Sequence, residues 1–144
     1  MRRLMGLDVG SKTIGVAISD ALGLTAQGVT TVARQSWAAD LAALGELARA
    51  HQVALLVVGL PLNMNGTSGP RAELSRAFAD RASQALGLPH ALWDERLSTA
   101  EVQRVLLAAD VSRKKRKQVV DMLAAQVILQ GYLQAHPSAT EEPP

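Results

Sequence analysis

The feature that most constrains the fold is an uninterrupted apolar run from Val53 to Val58, which ends at Gly59. A run of this length without polar alternation is typical of a parallel strand that is covered on both faces. The segments around it have the spacing of amphipathic helices, one expected from Ser36 to His51 and the other from about Arg71 to Leu86. The run is therefore predicted to be the central strand of a sheet with helices on its faces.

Three short segments rich in β-branched and small residues precede the first helix. They are predicted to be strands, at Arg3–Val9, Thr13–Ser19 and Gly28–Ala33. The connections between them are short and carry turn residues such as Gly10 and Gly23. Consecutive strands joined in this way usually pair side by side, so an antiparallel meander is expected.

The second half of the chain is predicted to contain one more strand and two more helices. A short strand is expected at Ala91–Trp93, and the spacing of Ser98 and Glu101 is that of a capping box that begins a helix. This helix is expected to break between Asp110 and Lys117, and a final helix is predicted over about 118–133. A polar, proline-containing tail at 137–144 is predicted to be disordered, which leaves residues 1–136 as one domain.

The order of these elements predicts an α/β fold. Three antiparallel strands followed by alternating helices and strands give a mixed five-stranded sheet, with parallel additions to the meander and helices on its faces. Few folds share this order, and the RNase H-like fold is the foremost of them.

The composition excludes several classes of protein. The chain has 144 residues, enough for one well-buried core, and no cysteine, which rules out disulfides and thiolate metal sites. No apolar run approaches the roughly 20 residues that span a bilayer, so a soluble cytoplasmic protein is expected. Aromatic residues make up only 3%, which argues against base stacking on aromatic rings as the main route to nucleic acid.

Three separate carboxylates lie in sequence that is otherwise apolar or at a strand end. Asp8 is inside the first predicted strand, Glu95 follows the last one, and Asp121 is embedded in the final helix. A carboxylate in apolar surroundings needs a partner, because burying an unpaired charge costs several kcal/mol. Asp8 could instead cap a turn or pair with Lys12, and Asp94, Glu95 and their neighbours could form a solvated loop with an internal ion pair.

If the three carboxylates meet in the folded chain, they form a site for divalent metal. Mg²⁺ or Mn²⁺ prefers oxygen ligands, and two such ions about 3.5–4 Å apart are suited to hydrolysing a phosphodiester bond. Asp8, Glu95 and Asp121 are therefore the candidate catalytic residues and metal ligands. Whether Asp94 also contributes is left open.

Polar and basic residues elsewhere are candidates for holding a nucleic-acid backbone. The loop after the central strand is rich in Gly, Asn and Pro, and a run of five cations precedes the final helix. The candidate contacts are Lys12, Asn63, Thr67, Arg96, Arg113, Lys114, Lys115, Arg116 and Lys117. The cationic run could equally be a solvated surface.

Four motifs, in order along the chain, resemble the YqgF family, also called RuvX. These RNase H-like proteins are described as pre-16S rRNA nucleases or as homologues of Holliday junction resolvases. The matching residues are Gly6-Leu7-Asp8-Val9-Gly10 with Gly15-Val16-Ala17, Val57-Val58-Gly59-Leu60-Pro61 with Asn63, Gly66 and Thr67, Asp94-Glu95-Arg96-Leu97-Ser98-Thr99, and Arg113 to Lys117 with Asp121, Ala124, Ala125, Ile128, Leu129 and Tyr132.

The resemblance implies an RNase H fold, a divalent metal and cleavage that matures the 5′ end of 16S rRNA. The family's acidic positions correspond to Asp8, Glu95 and Asp121. Two residues depart from the family pattern: Asn65 stands where Asp is common, and Ser98 stands where Thr is common. The first departure argues against a metal role for the loop that contains Asn65.

Three other functions are compatible with the sequence. The pattern of Asp8, Gly10 and Gly15 resembles the phosphate loop of actin-like ATPases, although those proteins need two such domains. A non-catalytic module that binds RNA or ribosomal particles would use the same surface without cutting. A Holliday junction resolvase would use the same chemistry on branched DNA, as a homodimer rather than a monomer. The sequence does not discriminate RNA from DNA.

Overall fold

A five-stranded mixed sheet forms the centre of the molecule. The computed structural model describes residues 2–97 and 113–139, with the side chains of the last helix described from Met122 onward. The strand order is β3-β2-β1-β4-β5, with β1–β2 and β2–β3 antiparallel and β1–β4 and β4–β5 parallel. The strands are β1 (Arg3–Val9), β2 (Thr13–Ser19), β3 (Ala26–Ala33), β4 (Val53–Leu60) and β5 (His90–Asp94). The predicted meander is confirmed, and the apolar run is an interior strand, β4, while β1 lies at the centre of the sheet.

Two helices cover one face of the sheet. They are α1 (Trp37–Ala50) and α2 (Pro70–Leu86). The Ser36 hydroxyl caps α1 by accepting a hydrogen bond from the Ala39 amide at 3.1 Å, as its sequence position predicted. Gly87 ends α2 in the left-handed conformation, with φ of 67°, which glycine adopts without steric cost.

The other face is covered by α3 (Arg113–Ala135), and a single 3₁₀ turn (Glu95–Leu97) follows β5. The predicted start of this helix, at about residue 118, was wrong. The basic run lies inside α3 rather than before it, because Lys and Arg are good helix formers and no breaker separates them from the apolar part. The helix predicted to begin at Ser98 lies outside the described residues.

Side chains of β1 alternate between the two helical layers. Met5, Leu7 and Val9 are buried in the core that α1 and α2 cover, whereas Leu4 is buried in the core under α3. Because successive side chains of a strand point to opposite faces, Asp8 lies on the same face as Leu4, which is the face of α3. The fold thus places the candidate carboxylate of β1 under the last helix.

Small residues allow α3 to cross the sheet closely. A Cβ at Gly6 would lie 2.7 Å from Leu129 Cβ and 2.9 Å from the carbonyl oxygen of Ala125, so only glycine permits this approach. At the edge strand, the buried Gln130 accepts a hydrogen bond from the Ala26 amide at 2.9 Å. These contacts hold α3 at a defined height above β1 and β3.

The chain after α3 folds back against the N-terminus. Arg2 Nε donates a hydrogen bond of 2.8 Å to the carbonyl oxygen of Ala139, and Ala139 packs against the core under α3. Residues 137–139 of the predicted tail form a turn, and its last five residues lie outside the described part. No helix in the described part is long and apolar enough to cross a membrane.

Candidate active site

Asp8 lies between two glycines on the neighbouring strands. It pairs with Gly15 of β2, and because Leu7 pairs with Val58 of β4, the residue beside Asp8 on β4 is Gly59. Asp8 itself is half-buried. Neither neighbour carries a side chain, which leaves the surface of the sheet beside this carboxylate open to side chains from other elements.

Glu95 fills part of that open surface. It is the first residue of the 3₁₀ turn after β5, and its Oε1 lies 3.1 Å from the position that a Cβ at Gly59 would occupy. The side chain of Ile128, from α3, contacts the same position. The Glu95 carboxylate is thereby held over the end of β4, next to Asp8 and under the last helix.

The electrostatics of Glu95 confirm that it is near Asp8. Burial raises the pKa of Glu95 above its ordinary value of 4.5, and the negative charge of Asp8 raises it further. Asp94 adds a smaller rise, while the guanidinium of Arg71 lowers this pKa. The negative charge of each carboxylate disfavours that of the other, and a bound cation would reduce this repulsion.

Arg71 is a site residue that the sequence analysis missed as a functional group. The sequence identified it only as the beginning of α2, where an arginine is unremarkable. The structure places it, with an exposed side chain, close enough to Glu95 to lower the pKa of that carboxyl. Its position directly after the glycine-rich loop was the only available signal, and that signal does not reveal which strand end the side chain approaches.

Asp94 has a different role from Glu95. Its two oxygens accept hydrogen bonds from Arg96, at 3.0 Å from the backbone amide and at 2.7 Å from Nη2. These bonds hold the pKa of Asp94 below its ordinary value. The alternative of an internal ion pair is thus correct for Asp94 and Arg96, while Glu95 between them turns to the sheet.

The loop after β4 is closed by its own polar side chains. Asn63 Nδ2 donates to Thr67 Oγ1 at 3.0 Å, and Thr67 Oγ1 donates to Asn65 Oδ1 at 2.6 Å. Arg96 Nη1 reaches the carbonyl oxygen of Met64 at 3.4 Å. The predicted phosphate contacts Asn63 and Thr67 therefore already shape the loop, and Arg96 connects that loop to the carboxylate site.

For the remaining predicted site residues, the structure gives only the position of the backbone or the exposure of the side chain. Lys12 is exposed in the turn between β1 and β2. Asp121 lies in α3 two helical turns before Ile128, so the 3.6-residue repeat puts both positions on one side of the helix. The side chains of Asp121 and of the basic run lie outside the described part. Among described side chains no three acidic or histidine residues form a metal-binding group, and Asp8 and Glu95 supply two carboxylates.

Comparison with solved structures defines the class of fold. A structure of Thermus thermophilus RuvC matches with a TM-score of 0.60 at 12% identity, over 96% of this chain and 97% of RuvC. A structure of T. thermophilus RuvC in complex with a Holliday junction substrate matches with a TM-score of 0.59 at 14% identity, over 97% and 98% of the two chains. The protein has the RNase H-like fold of RuvC, as predicted.

The family within this class follows from the sequence itself. The family described as "RuvX: Holliday junction resolvase" matches residues 2–135, and the chain belongs to it. A protein of Myxococcus xanthus is 63% identical over 134 residues, which cover 93% of this chain and 89% of the relative. A protein of Symbiobacterium thermophilum is 59% identical over 140 residues, which cover 97% of each chain. Both relatives are named "Putative pre-16S rRNA nuclease".

Proposed function

We propose that this chain is a metal-dependent endonuclease that hydrolyses phosphodiester bonds in structured nucleic acid and processes the 5′ end of precursor 16S rRNA. The observation that carries the proposal is the pairing of Asp8 and Glu95 on a glycine-lined surface of the sheet. The names of relatives at 63% and 59% identity support the choice of substrate. Bacterial rRNA is processed in the cytoplasm, where we expect the protein to act.

The donor set suits Mg²⁺ or Mn²⁺. Carboxylate oxygens are the ligands that these hard cations prefer. Burial and, after it, the charge of Asp8 raise the pKa of Glu95, and a bound cation would offset both effects. Asp8, Glu95 and Asp121 would hold the metal. When bound, a pair of such ions activates water and stabilises the leaving oxygen of an in-line displacement.

The basic side chains would hold and orient the nucleic-acid backbone. Arg96 is held beside Glu95 by Asp94 and stays 36% exposed, and Arg71 adds a second positive charge near the carboxylates. Lys12 and the run Arg113–Lys117 would extend this positive rim to phosphates farther from the cut. Phosphate contacts fix the register of a nucleic acid without reading its sequence.

A cleavage panel tests the proposed activity. Precursor rRNA, a linear duplex and a four-way junction are incubated with Mg²⁺ or Mn²⁺ and either the wild type or Glu95→Gln. We expect the wild type to cut and Glu95→Gln to bind but not cut, because the amide is a poor ligand for a hard cation. Glu46→Gln, at an exposed position of α1, is the matched control and should cut normally. If the wild type cuts none of these substrates with either metal, the proposal is wrong.

The basic run has its own test. Replacing Lys114, Lys115 and Lys117 by Gln should weaken binding and reduce the slope of log affinity against log salt by about 0.7–0.9 for each lost phosphate contact. Asp8→Asn should leave that slope unchanged. Normal binding of the triple variant at every salt concentration contradicts the assignment of this run.

A second function is favoured by the fold. RuvC, which the chain matches over nearly its full length, is solved with a Holliday junction, and the family carries the description of a resolvase. Resolving a junction requires two paired cuts and therefore a homodimer. Paired, symmetric cuts in the four-way junction together with a dimeric mass in solution would favour this function over rRNA processing.

A further inference from the structure

The most exposed large apolar side chain in the described part of the structure lies beside the carboxylate site. Met64, in the loop after β4, is 92% exposed. A second exposed side chain, Leu97, directly follows Arg96, and Arg96 in turn contacts the Met64 carbonyl. Two residues with exposed apolar side chains therefore adjoin Arg96, one through its carbonyl and one as its chain neighbour. The other exposed large apolar residues of the described part are Leu22 and Leu24 in the β2–β3 connection and Leu74 in α2.

Met64 is presented on a well-braced segment. Within the loop, the Asn63 amide donates to the Thr67 carbonyl at 2.9 Å, and the Gly66 amide donates to the Asn63 carbonyl at 2.8 Å. The Asn65 and Thr67 side chains add the short bond described above. The Met64 backbone is fixed on both sides, while its side chain projects into solvent. Ordering such a side chain on binding costs less than ordering a whole loop.

Exposed apolar surface stabilises a complex only when it covers other apolar or aromatic surface, and phosphates and sugars offer little such surface. The face of a nucleobase offers an aromatic surface, and a thioether makes favourable contacts with aromatic rings. The chain's own aromatic rings are otherwise engaged: Phe78 is fully buried and stacks on Trp37, and Trp93 is 7% exposed. At the carboxylate site, Met64 is thus the described side chain best suited to touch a base.

We propose that Met64 packs against an unpaired nucleobase next to the bond that is cut. This inference rests on the proposed nuclease function and makes its substrate class narrower. In a continuous duplex the base faces are stacked on one another and closed to a side chain. The preferred substrate is therefore a nucleic acid with an unstacked nucleotide at the cleavage position, at a strand end, a bulge or a branch point.

Equilibrium binding in EDTA tests this inference without cleavage. A fluorescent RNA oligonucleotide is titrated either single-stranded or annealed to its complement. We expect Met64→Ala to lower affinity for the single strand about three- to tenfold and to leave duplex binding unchanged. Met64→Leu, which keeps an apolar side chain of similar size, should restore most of the affinity. Leu24→Ala, an exposed apolar residue of the β2–β3 connection, is the matched control and should bind both forms normally.

Two results would overturn the inference: unchanged single-strand binding by Met64→Ala, or an equal loss for single strand and duplex. Misfolding is not a concern for this variant, since a side chain that is 92% exposed contributes little to packing, and its melting temperature should match the wild type. The cleavage panel tests the proposed function separately: if that function is wrong, the wild type cuts none of the substrates. A wild type that cuts while Met64→Ala binds normally refutes the base contact alone.

Discussion

The Glu95 carboxylate borders the space that a side chain at Gly59 would enter, with Oε1 3.1 Å from the position of that missing Cβ, and the Ile128 side chain lies closer still. Gly59 therefore matters because it has no side chain. It lets a residue from the end of β5 reach across β4 to the neighbourhood of Asp8. The two carboxylates come from β1 and from the turn after β5, a strand that is not adjacent to β1 in the sheet.

Gly59→Ala should displace Glu95 and abolish most of the proposed activity. The added methyl group would press on Glu95 Oε1 and on the Ile128 side chain, and a displacement of about 1 Å at a reacting centre costs roughly 100-fold in rate. Overpacking should also destabilise the fold by about 1–3 kcal/mol. The measurements are cleavage rate and urea denaturation.

The matched control for this variant is Gly45→Ala, in the interior of α1. There a new Cβ meets only the end of the Arg49 side chain, at 3.6 Å. The change should stabilise the protein by about 0.5–1 kcal/mol, because alanine is the better helix former. Full activity in Gly59→Ala would show that Glu95 does not need this space.

Glu95→Gln should stabilise the metal-free protein at neutral pH. The folded chain holds the Glu95 proton more tightly than the unfolded chain does, because burial and the charge of Asp8 raise its pKa above 4.5. Unfolding therefore releases a proton, and the wild type loses stability as pH rises through the raised pKa. The amide carries no charge and avoids this loss.

Thermal denaturation in EDTA at pH 8 and pH 5 measures this effect. The advantage of Glu95→Gln should be present at pH 8 and should shrink as the pH falls toward 4.5. Adding Mg²⁺ at pH 8 should raise the melting temperature of the wild type more than that of the variant, since a ligand of the folded state stabilises it. An advantage that grows at low pH would contradict the assigned cause.

Asp40→Ala should be strongly destabilising. Asp40 is 2% exposed, and its carboxylate accepts hydrogen bonds from Arg34 Nε at 2.9 Å and from the Gln35 amide at 3.0 Å. Arg34 also donates to the Gly10 carbonyl at 3.1 Å, so the pair braces the turn after Asp8. Removing one partner of a buried pair costs about 3–5 kcal/mol, which urea denaturation resolves.

An exposed ion pair provides the comparison for Asp40. Glu73 and Arg76 approach to 3.8 Å with side chains that are 63% and 44% exposed. Glu73→Ala should therefore change the free energy of unfolding by no more than about 0.5 kcal/mol. Similar losses in Glu73→Ala and Asp40→Ala would show that burial does not set the strength of the Arg34 pair.

Gly6→Ala should loosen the packing of α3 on the sheet. The new Cβ would lie 2.7 Å from Leu129 Cβ and 2.9 Å from the Ala125 carbonyl oxygen, and backbone cannot yield as a side chain can. We expect a loss of about 2 kcal/mol in the free energy of unfolding and faster hydrogen exchange across α3. Unchanged exchange in α3 would mean that the helix is held elsewhere.

The family motifs and the periodicity of the apolar residues were sufficient to predict the sheet and its flanking helices. The bounds of β1 and β2 agree with the prediction, and the apolar run is the interior strand β4, beside the central strand β1. The start of α3 was harder to predict, because Arg113–Lys117 has helical propensity but lacks the apolar spacing that reveals a buried face. The metal role of Asp121 stays a prediction.

The sequence by itself determined which elements form, which family the chain belongs to and which carboxylates interrupt apolar segments. These properties depend on the local order and spacing of residue types along the chain. Only the tertiary structure decided that Glu95 turns toward Asp8 while Asp94 pairs with Arg96, and that Arg71 reaches the same carboxylate. Adjacent residues at a strand end can face either way, and the choice depends on contacts that local spacing does not reveal: Glu95 lies against the bare backbone of Gly59, whereas Asp94 is bonded to Arg96.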